Sequence, residues 1–267
     1  MKLKYFFLAL LIGSGTISTQ AQDYDFGVFG GFSFYQGDLS PGLSNGLGNF
    51  LSGNRPAIGG IARYNFHPNF SVRGNLNFGW VAAYDKYQND GTSREARNLS
   101  FNSPIVELSG TFEWNMKKYI AGSKRYKWTP YLFAGLGMTY THPMAWNNGD
   151  LVSLGPLKTE VQKERASYWG KRAIQPVIPI GGGLKFNLRR DYTLGIEAGW
   201  RMMFTDYLDD VSGFYTGGNS GSLDDVMSNR SGSPKARGVS RGNSNYNDSY
   251  FFWGLTLTKT LRPYKCR

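Results

Sequence analysis

The side chains able to do acid–base or nucleophilic chemistry are few and far apart. There are two histidines, His67 and His142. A serine hydrolase or lipid acyltransferase would need one of them within reach of a serine and an acid. His67 stands in the tight stretch His67-Pro68-Asn69 between two apolar runs, and His142 follows the far end of another run, which puts the two at opposite ends of the fold. Serine and aspartate are plentiful beyond His142, but no spacing there builds a triad, and the chain reads as non-enzymatic. Gly181-Gly182-Gly183 runs into Leu184 and a strand pattern rather than a helix, which argues against a phosphate cradle. Leu208-Asp209-Asp210-Val211 is echoed by Leu223-Asp224-Asp225-Val226. These paired carboxylates lack EF-hand spacing and read as flexible acidic loop rather than a calcium site. One cysteine, Cys266, excludes an intrachain disulfide framework and a cysteine-rich zinc site. No metal and no cofactor is expected.

The elements that carry these residues follow a period of two. From Phe70 to Tyr84 the even positions are Phe, Val, Gly, Leu, Phe, Trp, Ala and Tyr, while the odd ones are mostly polar or small. The same alternation recurs from Pro56, Val106, Leu132, Ile174, Leu194 and Phe251, and in the stretch Phe26 to Tyr35. About eight strands result, each near or above the roughly 9–11 residues that a tilted strand needs to cross a bilayer. Their connections alternate. His67-Pro68-Asn69, Met116 to Trp128, and Leu188 to Asp191 are short or moderate; Gln36 to Arg55, Asp85 to Leu99, Pro143 to Arg172, and Asp206 to Asn247 are long. The pattern predicts an all-β fold, an eight-stranded antiparallel up-and-down transmembrane β-barrel in the outer membrane. Short turns and both termini would lie in the periplasm and long loops outside. Lys2 and Lys4, the apolar run from Tyr5 to Ile12, and Thr19-Gln20-Ala21 read as a secretory signal peptide over residues 1–21, leaving residues 22–267 as the barrel domain.

A soluble barrel also alternates, so the polar face decides which side is out. That face is rich in glycine, which weakens solvent-facing strands but suits a crowded barrel interior. It also carries Arg63, Arg73, Glu107, Glu113, Lys185, Glu197 and Arg201, nearly balanced in sign. Charges enclosed in a barrel must pair. Folding the hairpin at His67-Pro68-Asn69 sets Arg63 opposite Arg73 with Glu113 at a similar height, which predicts a buried Arg63–Arg73–Glu113 cluster near the periplasmic end. In the first strand Phe26, Val28, Phe32 and Phe34 would face lipid, and Gly27, Phe29, Gly31, Ser33 and Tyr35 would turn inward. Aromatics such as Trp80, Trp114, Trp128 and Trp200 sit near strand ends, where outer-membrane lipid headgroups lie.

A net charge of +11 would suggest nucleic acid in a cytosolic protein, but an exported chain meets phosphate mainly on lipids, and no nucleic-acid partner is expected. Positive charge gathers on the predicted periplasmic side at Lys117, Lys118, Lys124, Arg125, Lys127, Arg189 and Arg190. This is a candidate partner face or a fit to acidic headgroups, and each residue alone also reads as a solvated turn. Ser231 to Asn247, rich in Ser, Gly, Asn and Arg, reads as a mobile part of the last loop.

Three segments carry a resemblance. Tyr35-Gln36-Gly37-Asp38-Leu39, Pro130 to Gly137, and Phe204 to Tyr215 with Asp206-Tyr207-Leu208-Asp209-Asp210 at its heart together resemble the PorG-type outer-membrane proteins of the type IX secretion system. The resemblance follows strand order over most of the chain. It implies a small closed barrel that associates with the periplasmic lipoprotein PorK and ring protein PorN and ties that ring to the outer membrane. It does not imply the protein-conducting pore. The reading beside it is a stand-alone barrel with an envelope-structural or ligand-binding role.

Overall fold

The computed structural model describes residues 23–40, 53–85, 97–161, 173–188, 191–218 and 221–261. The expected signal peptide, residues 1–21, and the pair Arg189 and Arg190 lie outside these. Ten strands follow in order: β1 (Asp23–Gln36), β2 (Arg55–His67), β3 (Phe70–Tyr84), β4 (Ser100–Asn115), β5 (Trp128–Thr141), β6 (Met144–Asn147), β7 (Asp150–Ser153), β8 (Ile174–Asn187), β9 (Tyr192–Met203) and β10 (Ser249–Leu261). A short helix, α1 (Leu223–Ser228), lies in the last loop. The sheet order is β3-β2-β1-β10-β9-β8-β5-β4, and β3 pairs with β4, so eight antiparallel strands close into a barrel. The remaining pair, β6 and β7, is a hairpin within the third long loop, bound to β4 where Met144 meets Asn102. Strand periodicity in so short a segment is not separable from loop sequence.

Alternation has an inside-out result. Leu136, Leu108 and Ile58 point away from the barrel and are 72%, 64% and 62% exposed, whereas Arg73 and Glu113 are 1% and 0% exposed. An apolar exterior belt with a charged interior is unfavourable in water and favourable in a bilayer, where the lipid chains cover the belt. The seam between the first and last strands needs two glycines facing each other. A Cβ on Gly254 would stand 2.6 Å from the Cα of Gly31, closer than two backbones with side chains can approach. Phe34 departs from the expected lipid-facing row: it is buried, because the chain at Gly53 and Asn54 folds over it and Asn54 accepts a hydrogen bond from the Trp253 indole at 2.9 Å.

The lower half of the interior is an ion network. Strand register sets Arg63 directly opposite Arg73, and Glu113 separates the two cations: Arg63 Nε lies 2.8 Å from Glu113 Oε2, and Arg73 Nη1 lies 3.1 Å from Oε1. Lys185 Nζ reaches the same carboxylate at 2.5 Å. Asp25 takes the far side of Arg63 at 3.0 Å, and Glu197 takes Arg73 at 2.7 Å. Tyr131 donates its hydroxyl proton to Glu197 at 2.6 Å. Nearer the long loops, Glu107 pairs with Arg201 at 3.2 Å and accepts from the Tyr250 hydroxyl at 2.8 Å. Phe133 and Phe252 fill the space beside the guanidiniums of Arg73 and Arg201, at 4.8 and 4.7 Å. The apolar core lies above this network, at the long-loop end, where Tyr35, Leu39, Phe101, Leu208, Val211 and Met227 pack together.

Glu113→Gln leaves Arg63, Arg73 and Lys185 without their shared counter-charge. Loss of one partner from a buried ion network costs about 3–5 kcal/mol. The urea midpoint of the folded band on a semi-native detergent gel should fall accordingly, whereas exposed Leu108→Val should leave it within experimental error.

Candidate functional site

All four long loops meet over one mouth of the barrel. The centre of the contact is Tyr35, at the end of β1, whose hydroxyl lies 2.6 Å from Asp209 Oδ2 and 2.8 Å from Asp248 Oδ1. Asp248 Oδ2 accepts the Leu208 N–H at 2.8 Å, and Asp209 Oδ1 accepts the Val211 N–H at 2.8 Å. Asp248 thus fixes the backbone of the segment that carries Asp209, and Asp209 fixes the turn of its own segment. Arg97 holds three loops at once: it makes a bidentate pair with Asp85 at 2.7 and 2.8 Å, and donates to the carbonyls of Arg241 at 2.6 Å and Asp38 at 3.2 Å. Glu160, from the third long loop, accepts the N–H groups of Ser212 and Gly213 at 2.9 and 3.0 Å and pairs with Arg241 at 2.9 Å. Asp210 adopts a left-handed backbone, φ 68°, and accepts the Thr159 hydroxyl at 2.7 Å.

Two of the three segments singled out in the sequence, Tyr35 to Leu39 and Phe204 to Tyr215, are thus two sides of one contact. Gly37 admits no side chain, since a Cβ there would collide with the Tyr35 hydroxyl and Asp248 Oδ1. Asp38 Oδ2 accepts the Asn243 N–H at 2.6 Å, joining the first loop to the last. Leu39 and Leu208 are wholly buried in the core beneath. Asp206 is buried beside this cluster, and Tyr207 is half-buried at its edge. The expectation of a flexible acidic loop at Leu208 to Val211 is corrected: all four residues are buried, because the leucine and valine anchor the segment in the core and its carboxylates find donors there. Only the echo, Leu223 to Val226, lies at the surface, as helix α1. In the Ser231 to Asn247 stretch, expected to be mobile, Arg241 is buried and bonds Glu160, the Asp210 carbonyl and the Ser228 carbonyl.

Burial dominates the acidity of this cluster. It raises Asp209 and Asp248 well above the ordinary carboxylate range, with added repulsion from Asp38 and Asp206 on Asp209, and from Asp209 and Asp206 on Asp248; their hydrogen bonds oppose the shift. Burial, with Asp38 and Glu160, pushes Asp206 up to about 7, against the Ser212 hydrogen bond. The geometry agrees with this. A phenol has one proton to donate, so Tyr35 can satisfy both carboxylates only when one of them carries a proton of its own. Among the described residues no group of three or more His, Cys, Asp or Glu is disposed to hold a metal ion.

The opposite face is built on one ordered loop between β4 and β5. Its Tyr119 hydroxyl meets Thr193 Oγ1 at 2.7 Å and Asn187 Oδ1 at 3.2 Å, and the Tyr119 N–H donates to the Pro68 carbonyl at 3.0 Å. Asn187 also donates to the carbonyls of Ile120 and Tyr126 at 2.7 and 2.6 Å. The loop is thereby pinned to both neighbouring turns, and Lys117, Lys118, Lys124, Arg125 and Lys127 are left exposed on it. Lys117 Nζ stands 3.7 Å over the Trp128 ring. Among the described residues none of the five makes an ion pair, and the sequence from Trp114 to Gly149 contains no acidic residue. His67 accepts the Asn69 N–H in the β2–β3 turn, while His142 donates its backbone N–H to Ser103 Oγ, which in turn donates to the Pro104 carbonyl; the serine meets the histidine's backbone, not its ring.

Arg63, Arg73 and Glu113 come together in the barrel, and Tyr35, Gly37, Asp38 and Asp206 to Asp210 come together in the cap. Sequence reasoning passed over Asp25, Asp85, Arg97, Glu160, Arg241 and Asp248. One signal for Asp248 was present: it precedes Ser249, the first residue of β10, which pairs with Gln36, so one further step of the ladder sets it beside Gly37.

A closed eight-stranded barrel with an apolar belt outside, paired charges inside and its long loops joined at one mouth defines a small outer-membrane β-barrel protein. The chain belongs to the family described as Domain of unknown function (DUF6089), whose model matches residues 3–267. No curated protein matches it in sequence. Among solved structures it is similar to a major outer membrane protein from Thermus thermophilus, at 12% identity and TM-score 0.43, covering 91% of this chain and 100% of that one. It is also similar to the attachment invasion locus protein Ail of Yersinia pestis, at 11% identity and TM-score 0.41, covering 91% and 100%. Neisserial surface protein A matches at 7% identity and TM-score 0.40, covering 90% and 97%.

The raised carboxylates give the cap a pH dependence of defined sign. A carboxylate whose pKa rises on folding stabilises the closed cap fully below its ordinary pKa of ~3.9 and loses that contribution as pH rises through the folded value. For Asp206 that value is about 7. After correction for intrinsic rates, the amides of Leu208 and Val211 should exchange ~10-fold or more faster at pH 8 than at pH 5, since one unit of pKa shift corresponds to a factor of ten. Asp209→Asn should flatten that dependence, and Gly37→Ala should speed exchange at both pH values while the barrel keeps its heat-modifiable mobility.

Proposed function

We propose that this protein is a non-catalytic outer-membrane component of the type IX secretion system that ties the periplasmic PorK/PorN ring to the outer membrane. The observation that carries the reading is the tight-turn face: an ordered loop with no acidic residue and five exposed cations that make no ion pair among the described residues, beneath a barrel whose interior is filled with side chains. A filled barrel of this size offers no path for cargo, so its contribution to export lies in what it holds. The resemblance of Tyr35 to Leu39, Pro130 to Gly137, and Phe204 to Tyr215 to PorG-type proteins supplies the partner, and the charge of the face supplies the means. In this reading the tight turns and both termini are periplasmic and the cap faces the exterior. The stand-alone reading, a barrel that serves the envelope or takes an external ligand, draws on the built cap instead.

Affinity isolation of the tagged native protein from gently solubilised outer membranes should bring PorK and PorN with it. Serine at Lys117, Lys118, Lys124, Arg125 and Lys127 together should reduce their recovery at least ~10-fold, in line with the loss of several charge contacts at an interface, with barrel mobility on gels unchanged. A barrel recovered without periplasmic companions would leave the stand-alone reading.

A further inference from the structure

The cap contains a polar cleft that the closure of the loops does not account for. It has a volume of about 390 Å³ and lies between the first, second and last long loops, lined by Asp38, Arg97, Tyr215, Lys235, Arg241 and Asn243 among others. That size is within the range of small-ligand sites. Its lining has three cations and one carboxylate. Arg97 and Arg241 are held from behind by Asp85 and Glu160, both 0% exposed, which fixes the two guanidiniums in place as part of the wall. Lys235 is different: half-buried in the cleft wall, it makes no ion pair or hydrogen bond among the described residues. The surrounding stretch from Asn229 to Asn247 carries Arg230, Lys235, Arg237 and Arg241 and no acidic residue.

Tyr215 adds a neutral donor to this cationic lining. It is 3% exposed and lines the cleft, yet its hydroxyl makes no hydrogen bond among the described residues. Its oxygen is open to the cleft rather than sealed in the protein, so the hydroxyl is available as a donor to a ligand there. Burial raises its pKa while the charges of Arg241 and Arg97 oppose the rise, so the phenol faces the same cationic wall. An acceptor anion placed there would take the Tyr215 proton and the Lys235 ammonium together. Asp38, by contrast, suits hydroxyl groups: one of its oxygens already accepts the Asn243 N–H, and a carboxylate accepts more than one donor.

We propose that this cleft binds a phosphorylated sugar, its phosphate held by Lys235, Tyr215 and the fixed guanidiniums and its hydroxyls by the Asp38 side. The site is independent of which partner the opposite face of the barrel takes. The sugar phosphate can be free in solution or be the headgroup of a glycolipid, and both present the same chemistry.

Isothermal titration of the purified barrel with glucosamine 1-phosphate tests this, with glucosamine and inorganic phosphate as comparisons. The sugar phosphate should bind more tightly than about 1 mM and at least ~10-fold more tightly than glucosamine, because charge-assisted hydrogen bonds supply most of the affinity. Lys235→Gln and Tyr215→Phe should each weaken binding about tenfold, with heat-modifiable mobility unchanged. Tyr215→Phe keeps the packed ring, and Lys235 lies at the surface of the cleft, so neither threatens the fold. Repeating the titration in nanodiscs with and without lipid A separates the sources: lost binding when lipid A is present assigns the glycolipid, and unchanged binding assigns the free sugar phosphate. Equal affinity for glucosamine and its phosphate, no binding of the phosphate, or wild-type affinity in both variants would overturn the proposal.

Discussion

Eight strands close a barrel too narrow for continuous water, so each charge that points inward must find its opposite within the wall. Everything else in the architecture is arranged around that requirement. Asp25, Arg63, Arg73, Glu113, Lys185 and Glu197 come from six different strands and form three anions against three cations. Because side chains alternate between faces, a slip of one residue in any of those strands would turn its charge into lipid and leave a counter-charge unpaired inside. The network therefore specifies register as much as it supplies stability. The glycines at the seam and the aromatics beside the guanidiniums fill what space remains.

A solid barrel moves the functional question to its two ends, which solve opposite problems. At the tight-turn end the backbone is ordered by Asn187 and Tyr119 while Lys117, Lys118, Lys124, Arg125 and Lys127 are left without ion pairs among the described residues. At the long-loop end nearly every charge is consumed in holding loops together, and Arg97, Glu160 and Arg241 spend their hydrogen bonds on backbone groups of neighbouring loops. One end is thus built to present charge and the other to hide it. Lys235 stands out because it belongs to the second end and follows the rule of the first.

The barrel was legible in the sequence because its signal is local. Period-two alternation over thirteen to sixteen residues, as in β2, β3 and β4, needs no knowledge of what lies across the barrel. The hairpin at His67 to Phe70 also carried its own register, which is why Arg63 and Arg73 could be set opposite each other. The cap was not legible, since its partners are far apart in sequence and lie in segments without periodicity. Asp209 and Asp210 look like solvated loop until Tyr35, Glu160 and Asp248 are placed around them. Hydrophobic Leu208 and Val211, flanking the two aspartates, were the clue that this loop is buried. Phe34 shows the converse: alternation assigned its face correctly, but only the fold of the following loop determines that protein rather than lipid covers it.

The Tyr35 cluster also dates itself within the life of the molecule. Tyr35 meets Asp209 across 174 residues of sequence and Asp248 across 213. Contacts of such separation carry the largest loop-closure cost and gain nothing until the intervening strands are in register. The first and last strands must zip together before the phenol and both carboxylates can share one space. The cap can therefore order only once the barrel has closed, and a closed cap marks a chain whose first and last strands have met.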